Sequence, residues 1–141
     1  MMSPEYAAGF FDADGSVSID PRERVLRVDI SNTHRGVLEM FHQQFGGRIS
    51  TFKQREPHHK PVHHWRMKCG PAEEFLRLIA PHVVVKKERV ELALRVREMG
   101  GRRTGPWPGG ELPPDEAEFR AKQERLIDDL RRLNQRGLVV A

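Results

Sequence analysis

The chain has 141 residues, enough for one domain with a real core and short for two. Its single cysteine, Cys69, excludes an internal disulfide framework and suits a reducing compartment, and no run approaches the apolar length of a membrane span. Lys and Arg outnumber Asp and Glu by 24 to 20, giving a net charge of +4 and a pI near 9.6, an excess that permits a nucleic-acid partner without proving one.

The first predicted element is a helix. Ser3 is a good N-cap, Pro4 suits the first helical position, and Glu5 lies at the positive end of the helix dipole. Tyr6, Ala7, Ala8, Gly9, Phe10 and Phe11 then give under three turns, apolar nearly all round, so the helix must be buried in a core or against a partner. Asp12 and Asp14 follow at the C-terminal end, where the dipole disfavours negative charge. A cation bound there resolves the conflict; the alternative is a turn with both carboxylates solvated.

After Gly15 the sequence alternates, as a half-buried strand should, with Val17 and Ile19 inward and Ser16, Ser18 and Asp20 outward. Residues 21–24 read as a hairpin turn. The returning strand has Leu26, Val28 and Ile30 on one face and Arg27, Asp29 and Ser31 on the other. Thr33 is expected to cap a helix over residues 36–45, with Val37, Leu38, Phe41 and Phe45 at helical spacing and Gly46-Gly47 ending it. A third strand is expected over residues 48–54 and a fourth over 62–69, joined by a polar connection. Pro71 opens a helix with Phe75, Leu76 and Ile79 inward, closed by Pro81, and another helix runs from Lys86 or Lys87 to Met99.

Residues 100–114 are dominated by Gly and Pro and read as a loop or linker, with Trp107 either pinned to the body or on a mobile tip. A final helix starts at Pro114 and is expected to reach about Arg136, where Gly137 caps it. Its apolar stripe is Phe119, Leu126, Ile127, Leu130 and Leu133. The expected division is a core over residues 1–99, the loop over 100–114, and a C-terminal helix over 115–141 packing on the same domain.

The decapeptide from Tyr6 to Gly15, YAAGFFDADG, resembles the LAGLIDADG motif of homing endonucleases. Ala8, Gly9, Asp12, Ala13, Asp14 and Gly15 are in register, Phe10 and Phe11 stay apolar, and Ala7 stands where the family often has a larger apolar residue. The order of elements extends the resemblance over roughly residues 3–99. It implies an α+β fold, α-β-β-α-β-β-α-α, with an antiparallel sheet saddle, helices on one face and a concave polar face on the other. One motif in one domain implies a homodimer, with Ala7, Ala8, Gly9 and Phe11 at the interface. The implied partner is double-stranded DNA carrying a long, roughly palindromic site, in which both strands are cut by phosphodiester hydrolysis.

By the same resemblance Asp14 is a ligand for Mg²⁺ or Mn²⁺, and the Ala13 carbonyl a second. Asp12 caps or orients the motif, with the metal shell as its alternative. Asn32 is placed near the hydrolytic water, or else serves as a turn or cap residue. Lys86 is placed near the scissile phosphate, or else is a solvated lysine at a helix start; Lys87 blurs that register, and His34 and Arg35 are loosely aligned to the same phosphate. DNA recognition falls to the sheet. Alternation nominates Ser16, Ser18, Asp20, Arg22, Arg24, Arg27, Asp29, Arg48, Ser50, Gln54, His64, Arg66 and Lys68, each strand carrying a one-residue register risk that would swap its faces.

The cluster His58, His59, His63 and His64 raises zinc, but one cysteine and the lack of C-x-x-C or H-E-x-x-H spacing favour DNA-facing or exposed histidines. An HNH-type nuclease lacks evident partner residues. The other readings kept open are a DNA-binding regulator without cleavage, a maturase that binds intron RNA, and a small domain of unrelated role. The expected location is cytoplasmic, or wherever an organelle- or phage-encoded form meets DNA, with no membrane partner and no signal peptide before the first helix.

Overall fold

The computed structural model describes residues 1–52, 58–100 and 107–135. Their elements are α1 (Pro4–Asp14), β1 (Gly15–Ile19), β2 (Leu26–Asn32), α2 (Arg35–Phe45), β3 (Arg48–Phe52), β4 (Val62–Lys68), α3 (Cys69–Ile79), α4 (Lys87–Met99) and α5 (Pro114–Asn134). The strands form one antiparallel sheet in the order β1-β2-β4-β3, so β2 and β4 are central.

Register follows from the hydrophobic alternation. One row across the sheet is Gly15, Ile30, Trp65 and Ile49, and the next is Val17, Val28 and Met67. All of these face the helices and, with Leu26 and Ile19, build the core against Phe11, Leu38, Phe41, Phe75, Leu76 and Ile79. Trp65 is fully buried, tilted against Phe41 and edge-on to Phe75, and its indole N–H donates to the Gly46 carbonyl at 2.7 Å. That contact dictates glycine next door: a Cβ on Gly47 would lie 2.7 Å from the Arg66 carbonyl, and its φ of +85° suits glycine alone.

Several element ends differ from expectation. The N-cap of α2 is His34, not Thr33: the His34 Nδ1 accepts from the Val37 N–H at 3.1 Å, the reach a cap side chain needs. The fourth strand stops at Lys68 and α3 begins at Cys69, two residues before Pro71, where Cys69 turns the chain with φ +59°. The other end of α3 is as expected: it stops at Ile79, just before Pro81. α5 ends at Asn134; Gly137 lies outside the described residues, as does Gln54.

α5 packs on α4 and reaches β1. Its Asn134 donates to the Val17 carbonyl at 2.8 Å, on an edge strand, and the Leu133 carbonyl accepts from the Arg89 guanidinium at 2.8 Å. The stripe is deeper than expected, with Gln123 buried alongside Ile127 and Leu130. No helix among the described residues is long and apolar enough to cross a membrane.

Candidate active site and nucleic-acid face

The C-terminal end of α1 carries two carboxylates with different fates. The Asp12 carboxylate accepts two backbone N–H groups from the α3–α4 connection, Val84 at 2.8 Å and Lys86 at 3.0 Å. The Lys86 ammonium donates to the carbonyls of Phe11 at 3.2 Å and Asp12 at 2.9 Å. A cation therefore does offset the negative end of the helix, and it belongs to the protein. Asp12 is a clamp between two elements, each of its oxygens accepting one backbone N–H, which agrees with a capping and orienting role.

Asp14 is exposed at the last position of α1. One of its oxygens accepts from the Asn32 side-chain amide at 2.8 Å. The other end of that amide accepts from the His34 N–H at 2.7 Å, so Asn32 is fixed from both sides, as a turn residue and as a partner of Asp14. Gly15 is obligatory behind them. A Cβ there would run into the Phe11 ring and stand 2.7 Å from the Phe11 carbonyl. The motif thus presses its first acid into the fold and holds its second outward.

The donor set fits a hard divalent cation: an outward carboxylate oxygen beside Ala13, at the end of a helix where carbonyls lack intrahelical partners. Among the described residues no group of three or more His, Cys, Asp or Glu could hold a metal by itself. The alternation of β4 separates the histidine cluster. His63 turns to the helix side and meets Thr51 at 2.8 Å, while His64 faces outward and meets Asp29 at 3.2 Å. Arg35 joins the Thr51 side of that arrangement at 3.1 Å.

The outer face of the sheet carries Ser16, Ser18, Arg27, Asp29, Arg48, Ser50, His64, Arg66 and Lys68, on the register expected from alternation. Among the described strand residues of this face, four cations stand against one carboxylate, Asp29. Phe52 lies on the same face and is half exposed, which periodicity alone did not flag. Three nominated residues behave otherwise. Asp20 spends one oxygen on the N–H groups of Arg22 and Glu23, at 2.8 and 2.9 Å, which hold its carboxyl below the usual range, Glu23 contributing most. Arg24, at φ +59°, folds back onto the Pro21 carbonyl at 2.6 Å and lines a cavity on the helix side with Cys69 and Gln123. Arg22 is exposed on the turn itself.

The expected interface set is also corrected in part. Ala7, Ala8 and Phe11 are fully buried inside the protomer, because they fall on the core stripe of α1; only Gly9 of the four is exposed. The outward face of α1 is Glu5, Tyr6, Gly9 and Ala13.

A family profile described as LAGLIDADG-like domain matches residues 5–80, more than half of the chain. The chain belongs to the LAGLIDADG family. Solved structures share its fold. An archaeal intron-encoded homing endonuclease, I-Vdi141I, complexed with DNA, is similar to this LAGLIDADG chain at a TM-score of 0.67 and 20% identity, over 95% of this chain and 85% of that one. The homing endonuclease I-CvuI, in complex with its target in the presence of calcium, gives a TM-score of 0.67 at 17% identity, over 94% and 82% of the two chains. I-SmaMI, bound to an uncleaved DNA target with calcium ions, gives a TM-score of 0.56 at 19% identity, but there 92% of this chain covers 44% of that chain. None of the curated proteins matches the sequence significantly.

Proposed function

We propose that the protein is a site-specific DNA endonuclease that acts as a homodimer and requires a divalent metal ion. The observation that carries this reading is the contrast between the two acids of the motif. Asp12 is fully engaged in holding the fold together, whereas Asp14 is held outward by Asn32 with an oxygen to spare, on the family's catalytic position. Lys86 offsets the helix end at the Phe11 and Asp12 carbonyls, and a bound metal ion would compensate the Asp14 carboxylate itself.

Asp14 and the Ala13 carbonyl would hold Mg²⁺ or Mn²⁺. When bound, such an ion activates water and neutralises charge on the phosphoryl group. Asn32 keeps the Asp14 carboxylate aimed and, with its amide locked between Asp14 and the His34 N–H, prevents that side chain from collapsing onto the helix end. Lys86 holds a fixed positive charge at the Phe11 and Asp12 carbonyls, where it favours a phosphate approaching the same end. The outer sheet face, with Arg27, Arg48, Arg66 and Lys68, supplies the attraction for a DNA backbone and groove.

Two copies meet across the outward face of α1. A Cβ on Gly9 would touch nothing within 4 Å in the protomer, so the backbone of a second helix can approach there closely. The fit of this chain to less than half of I-SmaMI supports two copies acting together.

The test is selection of cleaved and bound sites from a genomic or randomised DNA library with Mg²⁺, with Asp14→Asn beside the wild type. Wild-type cleavage of a roughly palindromic site, lowered at least about 10²–10³-fold in Asp14→Asn with binding retained, is the expected result. Tight binding without a cut from either protein would leave a regulator, and preference for intron RNA would leave a maturase.

A further inference from the structure

On the outer face of β2 and β4, four side chains form one connected cluster. The Asp29 carboxylate accepts from the Arg66 Nε at 2.6 Å and meets the His64 Nδ1 at 3.2 Å. The Phe52 ring stands edge-on to His64, with centroids 5.0 Å apart, and lies 5.7 Å from the centre of the Arg66 guanidinium. The register explains the meeting. Asp29 pairs directly with Arg66, His64 lies two residues along β4, and Phe52 is the outward residue of β3 next to them.

This geometry uses Arg66 in a particular way. Asp29 takes the Nε edge, and no side chain among the described residues hydrogen-bonds Nη1 or Nη2. The Arg66 side chain is about half exposed, at 53%, while those of Asp29 and His64 are largely covered, at 24% and 21%. What remains outward is a rigid pair of parallel N–H donors. That pair matches the O6 and N7 acceptors of guanine in the major groove, the commonest bidentate base contact of arginine. A phosphate is the poorer partner here, because the Asp29 carboxylate beside it would repel the phosphate charge, and β2 and β4 are the central strands, away from the sheet edges.

Resting on the proposed DNA-cleaving function, we infer that Arg66 reads one guanine in each half of the target, and that Asp29 is its positioning residue. Phe52 and His64 wall the other sides and restrict the rotamers of Arg66. Asp29 acts on the base only through Arg66: one of its oxygens accepts from the Arg66 Nε, the other meets His64, and its side chain is 24% exposed.

The experiment is site selection by binding in Ca²⁺, on the full chain, for the wild type, Arg66→Lys and Asp29→Asn, with affinities measured on the selected site and on the site changed at each position. The wild type should show one guanine per half-site whose replacement weakens binding about tenfold to a hundredfold. In Arg66→Lys, which keeps the charge and loses the paired donors, that penalty should fall to within about threefold while other positions keep theirs. Asp29→Asn should relax the same position and leave binding to unrelated DNA equal or tighter, because a negative charge has left the face; a merely structural loss would weaken all positions together. An unchanged profile in Arg66→Lys, or a uniform loss across all sequences, overturns the guanine assignment and marks Arg66 as a backbone contact. A wild type that selects no DNA at all overturns the endonuclease reading and this one with it.

Discussion

The two acids of the α1 motif sit two residues apart and do opposite jobs. Asp12 satisfies two backbone N–H groups of the connection between α3 and α4, and the Lys86 ammonium returns the contact to the α1 carbonyls. Asp12→Ala removes two hydrogen bonds to a charged acceptor, so urea unfolding should show a loss of about 1–3 kcal/mol. Asp14→Asn should show none, and removal of a charge from the negative helix end can raise stability by about 0.3–1 kcal/mol. A loss of stability in Asp14→Asn matching that of Asp12→Ala would mean that both acids are structural and would remove the main argument for a catalytic Asp14. The sequence signalled the conflict at this helix end plainly, since two carboxylates against a dipole need an explanation. It did not signal which acid was explained by the fold. That depended on Val84 and Lys86, more than seventy residues away, and on Asn32, whose strand-end position puts it between Asp14 and His34.

Among the elements, strands and helix cores were legible because alternation and helical spacing are strong signals, and the row Val17, Val28, Met67 follows from them directly. The ends were harder. His34 replaced Thr33 as a cap because a histidine Nδ1 can do what a hydroxyl does, and Arg24 left the DNA face because its left-handed backbone reverses the chain at that residue. The outward side of α1 was also illegible, since a helix apolar nearly all round hides which stripe faces the core. The fold assigns Ala7, Ala8 and Phe11 to the core and leaves Gly9 outside. Gly9→Leu is therefore a clean probe. A Cβ there meets nothing within 4 Å in the protomer, the side chain points along the exposed face of α1, and leucine is a better helix former than glycine, so circular dichroism and melting should show a folded chain. Across a twofold axis the intrusion counts twice, at about 1–3 kcal/mol each, and sedimentation should report a monomer at concentrations where the wild type dimerises. A Gly9→Leu dimer as tight as the wild type would place the interface on another surface.

For the whole molecule, the question is how two copies and one charged face combine. The net charge of +4 is small, but its placement is not uniform, because Arg27, Arg48, Arg66 and Lys68 share a sheet face on which Asp29 is the one strand carboxylate among the described residues. Arg66 is held by Asp29 for a base, whereas Lys68 is exposed at the end of β4, where the strand gives way to α3, and is suited to a phosphate. A phosphate contact releases counterions, and log K falls with log salt at a slope of about −0.9 per contact. Lys68→Ala should then weaken binding evenly over all sequences and make the slope shallower by about 1 if one copy binds, and by about 2 if two copies bind the two halves of one site. The salt slope thus reports stoichiometry on the DNA independently of sedimentation. Measured beside Arg66→Lys, it separates the two kinds of contact on one face: a change in slope without a change in base preference for Lys68, and a change in base preference at nearly constant slope for Arg66. A change of about 1 with a dimeric protein in solution would mean that only one protomer of the pair lays its sheet on the DNA, and the palindromic site would then be the wrong expectation.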